Sequence, residues 1–383
     1  MIEAAPVLQS GTVYEVGGYL VPLSVLLTVL ALLVGLLLAT SFALTMGLSV
    51  SRYLGDRRRE RVRDDVQTEL LDRLYGPGDP GWEEWAASLS TTERRVAESL
   101  LGEFLRELDG TDAERLRPLG SALGVTGRAR ERLGGGDEYR RLQALTWLTL
   151  LCDTDPVAAV DFEATTARER AALVRLLSTC DELADADAAV SLLLDGIDEQ
   201  FTVFGQDTLY RVTRRDPGPL FARASDRYRE WPKPLFAQVL AVCKHLDTSA
   251  GETDLTWLTA ALEDETEAIR AAAARALGSF GWHESLRDRV FLERAVADPS
   301  PRVRAAVYEM LGSWGDESAL SVLLYALVSE DDPRALERGT HALVTHRDRV
   351  GEDGPAVLGE AWRWSSEHDR YDGLARRGGR VSG

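Results

Sequence analysis

Lysine is nearly missing from this chain. Of its 44 basic residues only Lys233 and Lys244 are lysine and the other 42 are arginine, while 62 aspartates and glutamates bring the net charge to −18. That balance argues against a polyanionic partner, because nucleic-acid affinity comes largely from basic side chains neutralising phosphates. Outside residues 52–63 no basic block stands apart from neighbouring acids, so nucleic acid is not expected as a ligand. Cysteine is scarce as well. Cys152, Cys180 and Cys243 are an odd, scattered set in apolar helical contexts, which fits buried, reduced thiols and excludes a disulfide framework or a CxxC metal site.

Motifs that carry chemistry are absent in the same way. The sequence has no GxSxG, P-loop or HExxH. Its histidines, His245, His283, His341, His346 and His368, form no cluster with carboxylates, and the spacing of five between His341 and His346 does not share a helix face as three or four would. Gly134-Gly-Gly136 is followed by acids that would repel a phosphate, so it reads as a linker. No catalytic residue, metal ligand or cofactor site is expected, and the chain does not read as an enzyme.

Charge of either sign is missing from residues 16–51, a run dominated by Leu, Val and Ala. A spanning helix needs about 20 such residues, so residues 19–50 are expected to form one transmembrane helix, with Pro22 in its first turn. A cleaved signal peptide is the rival reading. The apolar run is too long for it, no Lys or Arg precedes it and no small-x-small site ends it. Arg52, Arg57, Arg58, Arg59, Arg61 and Arg63 follow at once, with no basic residue before the run. By the positive-inside rule the short segment 1–18 faces outward and everything after the span lies in the cytoplasm. Within the span Ala31, Gly35, Ala39, Ala43 and Gly47 recur every four residues, a small-residue stripe of the kind along which helices pair in lipid, here implying a homodimer.

Beyond the span, residues 51–136 read as a helical adaptor. Residues 52–75 carry Val62, Val66, Leu70, Leu71 and Leu74 on an otherwise charged helix, and Gly76-Pro-Gly-Asp-Pro-Gly81 ends it as a hinge. Ser90-Thr-Thr-Glu93 is a capping box, Asp109-Gly110 closes its helix, and Thr111-Asp-Ala-Glu114 repeats the signal.

The dominant pattern follows. Asp264-Glu-Thr-Glu-Ala-Ile269-Arg270-Ala-Ala272-Ala273-Ala-Arg-Ala276-Leu277-Gly278-Ser-Phe280-Gly281 aligns without a gap on Asp298-Pro-Ser-Pro-Arg-Val303-Arg304-Ala-Ala306-Val307-Tyr-Glu-Met310-Leu311-Gly312-Ser-Trp314-Gly315, 34 residues later. A fixed period of that length signals stacked helix pairs. Eroded versions end near Leu151, Leu177, Val212, Val242 and Val344, with second helices near 187–195, 219–228, 254–263, 286–297 and 318–328. Residues 137–370 are therefore expected to hold six or seven helix pairs, followed by a disordered Arg- and Gly-rich tail at 371–383.

The phrase of Asp, four residues, Val/Ile-Arg, x, Ala and then Leu-Gly resembles the HEAT repeat in the short form named after phycobilisome lyases. The resemblance implies an α-solenoid, so the expected architecture is all-α: a transmembrane helix followed by a cytoplasmic α-solenoid. It also implies a binding face lined by the second helices and a structural ladder in which Asp264, Arg270, Asp298 and Arg304 tie repeats together. Phe280 and Trp314 share a slot suited to plugging the inter-repeat core, and Trp362 and Trp364 suit a terminal cap. The acidic, lysine-poor composition resembles that of proteins from salt-loving archaea, where molar salt shortens the Debye length to about 3 Å and removes long-range steering. The expected function is a membrane-tethered scaffold that binds a protein partner at the cytoplasmic membrane face. A regulatory subunit of a membrane enzyme complex and a bilin-lyase-like cofactor-attachment protein are the alternatives.

Overall fold

A computed structural model of the chain describes residues 13–16, 19–246, 254–281 and 284–378, with side chains described at 28, 30–42, 46, 60–246, 254–281 and 286–368. The chain divides into two compact units, 1–123 and 124–383.

The first unit opens on an antiparallel hairpin of β1 (Val13–Val16) and β2 (Tyr19–Pro22), in which Val13 pairs with Pro22 and Val16 with Tyr19. The expected span beginning at residue 19 is corrected here. Tyr19 to Pro22 are extended, and the helix starts one residue after Pro22, which needs no helical N–H of its own at that point. That helix, α1 (Leu23–Tyr75), runs unbroken through both the apolar run and the charged stretch read as a separate helix. Its 53 residues make it about 80 Å long. Its C-terminal third buries Val66, Leu70 and Leu74 against α3 (Thr91–Glu107) and α4 (Gly110–Leu116).

Local signals explain most of this unit. Ser90 and Glu93 close a reciprocal capping box, with Ser90 N donating to Glu93 Oε2 at 2.8 Å and Glu93 N to Ser90 Oγ at 3.4 Å. The second expected box does not form, because Asp109 takes the N-cap position and α4 has already begun at Gly110, which adopts φ 61°. The expected hinge at Gly76 to Gly81 is tied down from two sides. Arg115 donates to Gly76 O and Gly78 O at 3.1 Å each, and Arg73 donates to Pro80 O at 3.2 Å. Two short helices complete the unit, α2 (Trp82–Ser88) packing on α5 (Pro118–Ala122).

The second unit begins earlier than the expected boundary at 136. Gly134 and Gly135 are the last residues of α6 (Val125–Gly135), which packs on α7 (Glu138–Leu151) and α8 (Asp155–Ala159) and so belongs with the repeats. From there the chain alternates between two layers. The first layer stacks α7, α9 (Ala167–Thr179), α11 (Val203–Thr213), α13 (Lys233–Cys243), α15 (Glu267–Gly278), α18 (Pro301–Trp314), α20 (Pro333–Val344) and α22 (Asp353–Gly378), each packed on the next. The second layer places α10 (Ala186–Leu194) on α12 (Gly218–Arg227), α12 on α14 (Thr256–Ala261), and α17 (Leu292–Val296) on α19 (Glu317–Val328). Apart from the hairpin, the described elements are all helical, and those of the second unit stack in pairs.

Three local differences from the sequence reading have physical causes. The helix expected over 286–297 is split into α16 (Glu284–Arg287) and α17 by two tight turns, Arg289 N to Leu286 O and Val290 N to Arg287 O, which send Val290 into the core and leave Phe291 72% exposed. A short α21 (Arg347–Val350) follows α20. The tail expected to be disordered from 371 is helical to Gly378 in α22, a helix broken at Gly359 (φ 50°, ψ −112°), while residues 379–383 and His283 lie outside the described residues.

The repeated phrase maps onto α15 and α18 with its apolar positions inward. Ile269, Ala273, Ala276 and Leu277 are buried in α15, as are Val303, Val307, Met310 and Leu311 in α18, and each large side chain removed from water contributes about 1.5–3 kcal/mol. The phrase's glycine lets successive first helices meet closely. A Cβ on Gly312 would lie 2.6 Å from Ala342 Cβ, whereas one on Gly278 would find its nearest neighbours at 3.4 Å. Gly312→Ala is therefore expected to cost about 1–3 kcal/mol in urea denaturation of the full chain. Gly127→Ala in α6, with nothing within 4 Å, leaves stability unreduced.

Candidate functional site

The first-layer arginines form a ladder. Arg270 Nε and NH2 grip Asp298 at 2.7 and 3.0 Å, while its NH1 donates back to Asp264 O at 3.0 Å. Arg304 repeats this geometry one unit later, donating to Glu330 at 2.8 and 2.7 Å and to Asp298 O at 2.9 Å. Asp264 is held in turn by Lys233 from the preceding repeat. The planar guanidinium suits this role because one edge takes a carboxylate in parallel hydrogen bonds while the other still reaches a carbonyl.

The same device operates among the eroded repeats. Arg141 donates to the fully buried Glu169 at 2.7 Å and to Gly136 O at 2.7 Å, while Thr165 N and Oγ1 each donate to the second oxygen of Glu169 at 2.9 Å. Sequence reasoning missed both Glu169 and Glu330. The residue 34 positions after Asp298 is Asp332, and it caps α20 instead, accepting from Arg334 N and Ala335 N at 3.0 and 2.9 Å. The ladder carboxylate has moved two positions upstream, into the acidic run Glu330-Asp-Asp332. That run is the signal that could have revealed it.

Electrostatics follow from these contacts. Burial works against the charge on Asp298, but hydrogen bonds from Arg270 and Ser300 outweigh it and hold the carboxyl below its usual range; Asp264 is held down by Lys233 and Thr266 against the same penalty. The Arg304 fork holds Glu330 down to about 2, opposed by burial. Tyr308 donates to Glu330 Oε2 at 2.8 Å, and burial together with that carboxylate raises its phenol well above the ordinary tyrosine value. All four ladder residues named from the sequence thus lie in one continuous structural chain, with their charges already satisfied by protein.

The aromatic slots serve packing. Phe280 is fully buried and meets Phe221 edge-on at 5.8 Å, and Trp314 Nε1 donates to Leu277 O at 3.0 Å beneath the Arg287 guanidinium. Trp362 packs against the core, whereas Trp364 remains 47% exposed beside His368. His346 bonds Gly312 O at 2.7 Å. Cys243 is fully buried, and burial pushes its thiol far above the normal range, away from nucleophilic use. Among the described residues no group of three or more His, Cys, Asp or Glu side chains could hold a metal ion.

Among the described residues, two stretches of surface are rich in apolar side chains without protein cover. One is a groove of about 780 Å³ between α17 and α19, walled by Val296, Val322, Ala326 and Tyr325 and closed at one end by Tyr308 and Glu330. Tyr325 is 82% exposed, and Val328 and Phe291 stand out from the same second-layer region. The other is the N-terminal part of α1, where Leu30, Leu32, Leu33, Val34, Leu36, Leu37, Leu38, Phe42 and Met46 are all exposed. Ala31, Gly35 and Ala39 lie on this stretch, and nothing comes within 4 Å of a Cβ built on Gly35. The side chains of Ala43, Gly47, Arg52, Arg57, Arg58 and Arg59 lie outside the described residues. Arg61 is exposed, and Arg63 pairs with Glu103 of α3. Among the described residues no helix is long and apolar enough to cross a membrane.

The stacked pairs, the 34-residue phrase and the arginine ladder agree with comparison to known families. Residues 255–344 and 289–367 match the family model for HEAT repeats. Both matched segments fall in the second unit, and α7 to α13 extend the same layered packing on the N-terminal side of the detected HEAT repeats. No curated protein matches the chain.

Glu330 gives the ladder a measurable signature. Its folded pKa lies below the usual 4.5, so its contribution to stability is complete above pH 4.5 and is lost as pH falls towards about 2. Glu330→Gln strands the largely buried Arg304 and is expected to cost about 3 kcal/mol at neutral pH. Urea titrations of both proteins across this range should show the difference shrinking below pH 4.5 and vanishing near pH 2.

Proposed function

We propose that this protein is a membrane-tethered scaffold that docks a protein partner on its HEAT-repeat array and carries out no catalysis of its own. The observation that carries the docking part is the groove between α17 and α19, where Tyr325 stands 82% exposed above Val322 and Val296. Exposed aromatics beside a concave apolar floor are the side chains that anchor protein interfaces, since they bury large area at small entropic cost. HEAT repeats typically mediate protein–protein scaffolding, which supports the same reading.

The tether rests on α1. An uncharged run from residue 16 to 51, exposed wherever its side chains are described from Leu30 to Met46, loses the hydrophobic contribution of all that area unless lipid or another helix covers it. The arginines from Arg52 to Arg63 support a cytoplasmic array with residues 1–18 outside, and the small-residue face at Ala31, Gly35, Ala39, Ala43 and Gly47 supports pairing of two copies. The excess of acid over base fits a surface kept hydrated in molar salt.

Alkaline carbonate extraction is expected to leave the full chain in the membrane pellet, and its release would sink the tether. Gly35→Leu is expected to reduce self-association of α1 in a membrane reporter. For docking, Tyr325→Glu should change stability by less than about 0.5 kcal/mol, as for an exposed side chain. In proximity labelling from the full chain the same substitution should remove specific protein neighbours, and an unchanged neighbour set would count against the groove.

A further inference from the structure

The first-layer face opposite the phrase's buried positions is net basic in an acidic chain. Two adjoining grooves, of about 620 and 370 Å³, run across α15, α18 and α20 and share Lys244, Arg275, Glu309 and Arg338. The larger adds Arg302 and Arg334, so five cations face three acids, Glu267, Glu309 and Asp332, in a chain whose net charge is −18. One of the chain's two lysines is placed here.

These cations are not fully satisfied from within. Glu309 alone serves two guanidiniums, Arg275 at 3.3 Å and Arg338 at 3.5 Å, each reaching it from a different first-layer helix. Among the described residues Lys244 and Arg334 have no ion-pair partner. The side chains of Arg302 and Arg338 are 63% and 65% exposed. The floor of the smaller groove includes Gly278 and Gly312, the phrase's own glycines, with the Ser313 and Thr345 hydroxyls beside them. The repeat thus brings arginines from successive helices over a surface kept low by glycine.

We propose that this face docks an acidic peptide segment of a protein partner, whose carboxylates enter between Lys244, Arg275 and Arg338 as Glu309 already does. Planar guanidiniums in a shallow groove are matched to carboxylates, which they take in paired hydrogen bonds. A nucleic acid fits less well. It brings about one charge per 1.7 Å of duplex and would extend beyond the groove over a chain whose net charge is −18, whereas a short peptide keeps its charge inside. This surface lies on the first layer, and the inference goes beyond the docking proposed at Tyr325 without depending on it.

The test is fluorescence anisotropy of labelled deca-glutamate with the full chain, compared with the Lys244→Glu/Arg338→Glu variant and with labelled oligothymidylate. The inference expects saturable binding of deca-glutamate, weakened roughly tenfold or more by the double charge reversal and progressively by added salt. Circular dichroism should be unchanged, and so should the neighbours that depend on Tyr325. Retention of deca-glutamate binding in the variant overturns the proposal, as does absence of binding by the wild type. Oligothymidylate binding of equal or greater strength, lost in the same variant, overturns it in favour of a general polyanion site. Arg338→Lys, which keeps the charge, separates electrostatics from misfolding: it should retain most of the binding, and its loss along with that of the charge reversal would also overturn the proposal.

Discussion

The guanidinium held between two repeats is the contact on which the array depends. Arg270 and Arg304 each use one edge to close the turn that opens their own helix and the other to hold a carboxylate from the next unit. That carboxylate in turn accepts a backbone N–H where its own repeat begins, Ser300 N for Asp298 and Asp332 N for Glu330. A single buried charge pair would be weak evidence of stability, since desolvation offsets much of the attraction. Here its value is positional: with both oxygens of each carboxylate hydrogen-bonded, each unit is oriented against the next.

Much of the second unit could be read from sequence because its information is periodic. The first helices end within a few residues of Leu151, Leu177, Val212, Val242, Leu277, Leu311 and Val344, and α10, α12, α14 and α19 lie where second helices were expected. What escaped reading was set by tertiary contact. The helix α8 is five residues long and too short to show a period, and its place is set by packing on α6. Gly134 and Gly135 look like a linker in sequence yet sit inside a helix, because the chain's next turn comes only at Gly136. The split between α16 and α17 follows from the need to bury Val290, which no local propensity encodes.

The candidate surfaces were less legible than the fold for a related reason. A ladder residue is marked by recurrence, so Asp264, Arg270, Asp298 and Arg304 could be found by alignment of the phrase with itself. Glu169 and Glu330 perform the same job from unmatched positions, because a flexible side chain can reach a fixed guanidinium from more than one place on the backbone. Tyr325 carried no signal at all, since its exposure depends on how α17 packs on α19. In α1 the reverse holds: its unusual composition is plain in the sequence, and folding leaves it uncovered.

The glycine joints have a consequence for how such an array can change over generations. Gly312 of α18 admits Ala342 of α20, and Gly339 of α20 admits Leu327 and Tyr308, so α20 is fitted to its neighbours through two missing side chains. A slip of one residue in either helix would put a Cβ where there is no room and turn the ladder arginine away from its acid. Loss or gain of a whole 34-residue unit keeps the register of both. Length in this molecule is therefore quantised: the array can grow or shorten by complete repeats, while single-residue insertions are confined to the loops between them.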